Sequence, residues 1–150
     1  MRRELLDAAL AAICLAVVAS IAASVPFENL ISEYRFVRSF PWYVYWRVGV
    51  AMFFAWIVSA SIVSRKYKFT LWLMWISALA LAVAHYSLLL AEARGGARVA
   101  LLPLVYVVEK EGSVTYKLDV AQLALLLSGL EHFFILRTSP RAPSGTRPTP

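Results

Sequence analysis

Residues 69–91 read FTLWLMWISALALAVAHYSLLLA. Within these 23 residues only His85 titrates near neutral pH. A helix rises 1.5 Å per residue, so the run extends about 35 Å. That exceeds a bilayer hydrocarbon core of about 30 Å. The stretch reads as a transmembrane helix, and it sets the class of the whole chain.

The rest of the chain agrees. Of 150 residues, 61% are hydrophobic, and the mean hydropathy is +0.68. Soluble domains run at about 45–50% apolar, and a small domain has too much surface to hide such an excess. Two further runs are long enough to span, 5–25 and 44–63. The first is interrupted only by Asp7, and the second carries Arg47 near one end. Residues 120–136 are shorter and contain Gln122, Glu131 and His132. They still reach the lower length limit of about 17 residues.

The expected fold is therefore an all-α integral membrane protein, a four-transmembrane-helix bundle occupying residues 1–137. Arg2, Arg3 and the small-residue triplet Ala22-Ala23-Ser24 also suit a cleaved signal peptide. The length of the first run and its stripe of small residues favour a retained span.

Charge sets the orientation. The net charge is +6, and the basic residues fall between apolar runs. This points to membrane topology and not to nucleic-acid binding. Arg2 and Arg3, then Arg65, Lys66 and Lys68, then Arg137, Arg141 and Arg147 share one side of a four-span protein. That side is expected to be cytoplasmic, with both termini on it, in the cell membrane. Arg47 reads as an interfacial anchor that reaches outward past Trp46. The aromatic cluster from Phe40 to Trp46 suits the same headgroup level.

Lipid is as apolar as leucine, so membrane helices associate where small residues let backbones approach. Ala8, Ala12, Ala16, Ser20 and Ser24 form such a stripe in the first span. Ala51, Ala55 and Ser59 do so in the second. Ser77, Ala80, Ala84, Ser87 and Ala91 follow three- and four-residue steps in the third, and Ala124 and Ser128 give a short version in the fourth. Cys14, the single cysteine, reads as a small core residue and excludes an intramolecular disulfide.

Between the third and fourth spans, residues 92–119 form the largest outer segment. Arg94-Gly95-Gly96 should stop the third helix. Residues 104–108 and 113–118 are rich in strand formers, and Glu109-Lys110-Glu111-Gly112 between them suits a hairpin loop. A β-hairpin is expected over the outer face. A re-entrant segment over 99–108 is the alternative, but Pro103 interrupts it. Residues 26–42 permit a short surface helix. Residues 138–150, rich in Pro, Ser, Thr and Arg, read as disordered.

An ionisable residue within a span is a functional candidate by default. The candidate polar site is Glu131, His132, His85 and Ser128. Ser128, Glu131 and His132 share one helix face. In antiparallel spans His85 and His132 are offset by roughly 13 Å along the membrane normal, too far for one metal ion. No metal and no cofactor is expected. Glu131 lies close enough to the inner basic link to pair with Arg65, Lys66 or Lys68, or with His132. The expected function is a non-catalytic accessory, assembly or scaffold subunit, with the lipid bilayer and other membrane helices as partners. The alternative is a proton-coupled transporter or proton-conducting oligomer using Glu131, His132 and His85. No enzymatic motif is present.

Overall fold

A computed structural model describes residues 2–25, 40 and 42–137. The expected surface helix in 26–42 lies largely, and the expected disordered tail 138–150 entirely, outside the described residues. Four helices and a small sheet follow in order: α1 (Arg2–Ser24), α2 (Tyr43–Ile62), α3 (Lys68–Arg94), β1 (Arg98–Leu102), β2 (Val105–Lys110), β3 (Ser113–Leu118) and α4 (Val120–Arg137). Three helices, α1, α2 and α3, are long and apolar enough to cross a membrane. The apolar part of α4, Val120–Ile135, is shorter.

The surface of these helices is apolar. Leu5, Leu10, Ile13, Phe54, Leu79 and Val83 are all exposed. The interior mixes alanines and serines with a few large side chains. Leu15 of α1, Met52 and Trp56 of α2, Met74, Ala78 and Leu81 of α3, and Ala124 of α4 form one buried cluster. Helix α3 touches each of the other three helices. Large apolar side chains facing outward, with alanines and serines among the buried contacts, is the arrangement expected where lipid covers the helices.

The small-residue seams are met unequally. On α3, Ser77 and Ala84 are buried and Ala80, Ser87 and Ala91 half-buried. Ser59, Ala124 and Ser128 are buried as well. On α1 the expected stripe fails, since Ala12, Ala16, Ser20 and Ser24 are exposed. The buried face is instead Ala11, Leu15 and Ala22, with half-buried Glu4, Ala8 and Ala19 extending it. The reason is geometric. Every fourth residue advances 40° beyond a full turn, so a stripe from residue 8 to 24 drifts about 160° around the helix. Alternate steps of three and four stay in line. Cys14 is likewise exposed, not a core residue, because it sits about 100° around α1 from Leu15.

Helix α3 ends where expected. The Gly96 N–H donates to Ala93 O at 3.1 Å and the Ala97 N–H to Glu92 O at 3.3 Å. With Gly96 at φ 94°, this is a Schellman motif.

The element between α3 and α4 is larger than the expected hairpin. It is a three-stranded antiparallel meander, β1-β2-β3. The β2–β3 turn is shorter than the four-residue loop expected. It consists of Glu111 and Gly112, with φ of 52° and 78°, as a two-residue hairpin of the right twist requires. The segment weighed as re-entrant supplies β1, pairing Leu102 with Val105 and Val99 with Val108. Pro103 does not interrupt a helix here; it begins the turn between two strands. Tyr106 and Val108 alternate inward onto Leu89 and Ala97, which seats the sheet on the outer end of α3.

Candidate functional site

The polar groups of the interior fall into separate clusters. The outer one is organised by Asp119, which is fully buried. In the sequence Asp119-Val120-Ala121-Gln122, Asp119 caps the start of α4 through its side chain. Asp119 Oδ1 accepts the Gln122 backbone N–H at 3.0 Å. Asp119 Oδ2 accepts from Gln122 Nε2 at 2.9 Å and from the Tyr86 hydroxyl at 3.2 Å. The cap thus joins the start of α4 to α3.

The same residues hold the sheet. The Asp119 N–H donates to Leu104 O at 2.9 Å. The Leu104 N–H donates to Gln122 Oε1 at 2.9 Å, and Gln122 Nε2 donates to Leu102 O at 3.1 Å. These bonds fix a turn in which Leu104 has φ 62°, a conformation that costs a side-chain-bearing residue about 1–2 kcal/mol. Leu104→Gly is therefore expected to raise stability by about 1 kcal/mol. Thermal unfolding in detergent tests this, and an unchanged or lower midpoint would count against strain at this turn.

His85 lies beside this cap. Its Nε2 is 3.5 Å from Asp119 Oδ1, too long for a good hydrogen bond, and is buried with no hydrogen-bond partner. Tyr86 and Tyr106 pack edge-on against the imidazole, with centroids at 5.5 and 5.3 Å. Burial, then the nearby carboxylates of Glu92 and Asp119, push the Tyr106 phenol above its ordinary value. Tyr106 is thus held in its neutral form. Lys117, its cross-strand neighbour, has its ammonium 6.0 Å from the Tyr106 ring centroid.

Deeper in the bundle, tryptophans pair with the polar groups of α4. Trp56 Nε1–H donates to Ser128 Oγ at 2.9 Å, and Trp75 Nε1–H donates to His132 Nδ1 at 3.0 Å. Ser59 and Ser77 hydroxyls meet at 3.2 Å between α2 and α3. Each contact lets one helix satisfy a polar group of another in an apolar interior.

The four residues of the predicted polar site are not brought together. His85 belongs to the outer cluster and His132 to the contact with Trp75. Trp75 is ten residues from His85, or about 15 Å along α3. Ser128 serves Trp56. Glu131 is half-buried, and among the described residues no ion pair joins it to the 65–68 link. Lys68 instead pairs with Glu4 of α1, and Lys66 lies 5.4 Å from the Tyr67 ring centroid. Arg137 stacks over Phe133 at 4.1 Å.

Arg47 has a more specific position than an anchor reaching outward. Its guanidinium donates to Val25 O and Ala23 O, both at 2.6 Å, and lies 4.8 Å from the Tyr43 ring centroid. It thereby closes the C-terminal end of α1, where backbone carbonyls lack helical partners.

Sequence reasoning passed over Asp119, Tyr106 and the two indole donors. Asp119 carried a readable signal, the Asp-x-x-Gln spacing ahead of an apolar run. The tryptophan pairings had none, since Trp56 and Ser128 lie 72 residues apart. Among the described residues no group of three or more His, Cys, Asp or Glu side chains is arranged to hold a metal ion. No protein-family model, curated protein or solved structure matches this chain.

Proposed function

We propose that the chain is a four-span integral membrane protein with both termini in the cytoplasm, acting as a non-catalytic accessory subunit of a membrane complex. Helix α4 has 18 residues, and its apolar part, Val120–Ile135, falls just short of the usual lower limit of about 17. Its contacts, Asp119 with Tyr86 at one end and His132 with Trp75 at the other, run it antiparallel to α3. Four spans put Arg3, the 65–68 link and Arg137 on one side, as the positive-inside rule favours.

The observation that carries the subunit reading is the outward face of the sheet. Register puts Ala100, Val107 and Tyr116 in one row across it, with Leu102 on the same face and Val114 in a row with Glu109 and Arg98 that bounds the apolar part. Leu102, Val114 and Tyr116 are exposed. A sheet with one face on a core normally presents polar residues on the other. Contiguous exposed apolar surface marks an interaction site, and the outer part of another membrane protein is the partner proposed.

A photo-crosslinking side chain placed at Tyr116 in native membranes tests this. One defined polypeptide should be captured and should co-purify with the wild type in mild detergent. Val114→Glu and Tyr116→Lys should abolish that co-purification without altering the circular dichroism spectrum. Crosslinks confined to lipid, or co-purification insensitive to both substitutions, would refute the docking role.

A further inference from the structure

A cavity of about 290 Å³ opens between the outer halves of α2 and α3, beneath the sheet. Trp46, Gly49, Phe53, Leu81, His85 and Tyr106 line it. The walls are mainly apolar and aromatic, with an imidazole set among them. Trp46 and Val50, on the α2 side, are partly exposed on the apolar helix surface. The volume is at the small end of ligand pockets and suits a single ring or a short stretch of chain.

The imidazole is held in one orientation. Tyr86 and Tyr106 pack edge-on against it. Asp119 is fixed by three donors and faces Nε2 from 3.5 Å. A carboxylate on that side favours the tautomer with the proton on Nε2, which leaves Nδ1 as a lone-pair acceptor. Gly49 adds a second indication. Glycine weakens a helix relative to alanine, yet an added Cβ there would meet only Ala84, at an ordinary 3.8 Å. Helix packing therefore does not demand a glycine at this position, while its bareness leaves the cavity open.

The occupant follows from these features. It enters from an apolar surface, so it is lipid-soluble. An anionic head would face Asp119 across the imidazole. A cation would find that carboxylate already occupied by Tyr86 and Gln122. A neutral head with a hydroxyl meets a neutral acceptor. We propose that the cavity binds the hydroxyl-bearing head of a membrane-dissolved amphiphile, a quinol or an isoprenoid alcohol, with His85 accepting the hydroxyl hydrogen bond. The cavity meets the docking face at Leu118, but its test does not require that partner.

The full chain in phosphatidylcholine nanodiscs would be titrated calorimetrically with decyl-hydroquinone and, separately, with farnesol. Saturable binding of one molecule per chain is expected for at least one probe, and the stronger identifies the head as aromatic or aliphatic. The fully methylated form of that probe, the dimethyl ether of the hydroquinone or the methyl ether of farnesol, lacks the donor and should bind about tenfold more weakly. His85→Phe keeps the ring packing and should weaken binding about tenfold. Val50→Trp fills the cavity while leaving Asp119, Tyr86 and Gln122 unaltered in sequence, and should abolish binding. Unaltered circular dichroism and elution volume would show that each variant is folded, and Val50→Trp carries the test if His85→Phe is not. Failure of both probes to saturate, equal binding of the ether, or wild-type affinity in the folded variants would overturn the proposal. A dimer that Val50→Trp converts to monomer would also overturn it, by making the cavity an interface between copies.

Discussion

Asp119→Ala is expected to lower stability by about 2–4 kcal/mol, from the loss of a helix cap and from donors left without their acceptor. The side chain is fully buried and accepts hydrogen bonds from Gln122 N, Gln122 Nε2 and the Tyr86 hydroxyl. Alanine removes both carboxylate oxygens and with them all three hydrogen bonds. It strips α4 of its N-cap, a loss of about 1 kcal/mol by itself, and leaves the part-buried Tyr86 and Gln122 donors without this acceptor. Gln122 also holds Leu102 and Leu104, so the damage should spread to the sheet. Asp119→Asn should be milder, because asparagine caps helices well. Its amide nitrogen would nevertheless oppose one of the present donors. Detergent-solubilised protein unfolded by heat or by a denaturing detergent provides the measurement. An Asp119→Ala variant within about 1 kcal/mol of wild type would show that this network does not bind α3, α4 and the sheet into one unit.

The second large effect is expected at Arg47. Its two guanidinium nitrogens hold the Ala23 and Val25 carbonyls, and hydrogen bonds from a charged donor each contribute about 1.5–3 kcal/mol. Partial exposure reduces this, so Arg47→Ala should lose about 2–3 kcal/mol. Arg47→Lys should recover only part of the loss, since an ammonium is a point charge and cannot present the planar fork. The change should be local. Amide hydrogen exchange over the last turn of α1 should speed up in Arg47→Ala while the buried middle of α3 keeps its protection. Equal exchange at residues 20–25 in variant and wild type would contradict the capping role. If only the charge at the interface mattered, lysine would restore the wild-type behaviour in full.

These two residues show how differently the chain exposes its logic. Arg47 stands out in the sequence as a charge at the edge of an apolar run, and its level near a helix end could be read from that alone. That it serves α1, 22 and 24 residues earlier, depends on α1 and α2 lying side by side. Asp119 was overlooked because it stands at the end of the outer segment, where an acid invites no comment. Its spacing to Gln122 encodes the cap, but nothing local encodes the burial or the approach of Tyr86. Leu104 is a third case. A leucine gives no sign of a positive φ, since the turn is imposed by the bonds that Asp119 and Gln122 make to it.

Long apolar runs, the Gly95-Gly96 stop and strand-forming residues bounded by turns are local facts. They determined three helices of spanning length, the end of α3 and the β2–β3 pair. They do so because helix length against bilayer thickness, positive φ and strand propensity are properties of short segments. Tertiary structure decided which face of each helix is inside. On α1 it rejected a stripe that sequence spacing favoured, because alignment along a packed neighbour needs alternate steps and not a constant four. It also decided that β1 joins the sheet, and that His85 and His132 belong to different clusters. Such outcomes rest on contacts between residues tens of positions apart. They follow from how α3 is surrounded, which no segment carries in itself.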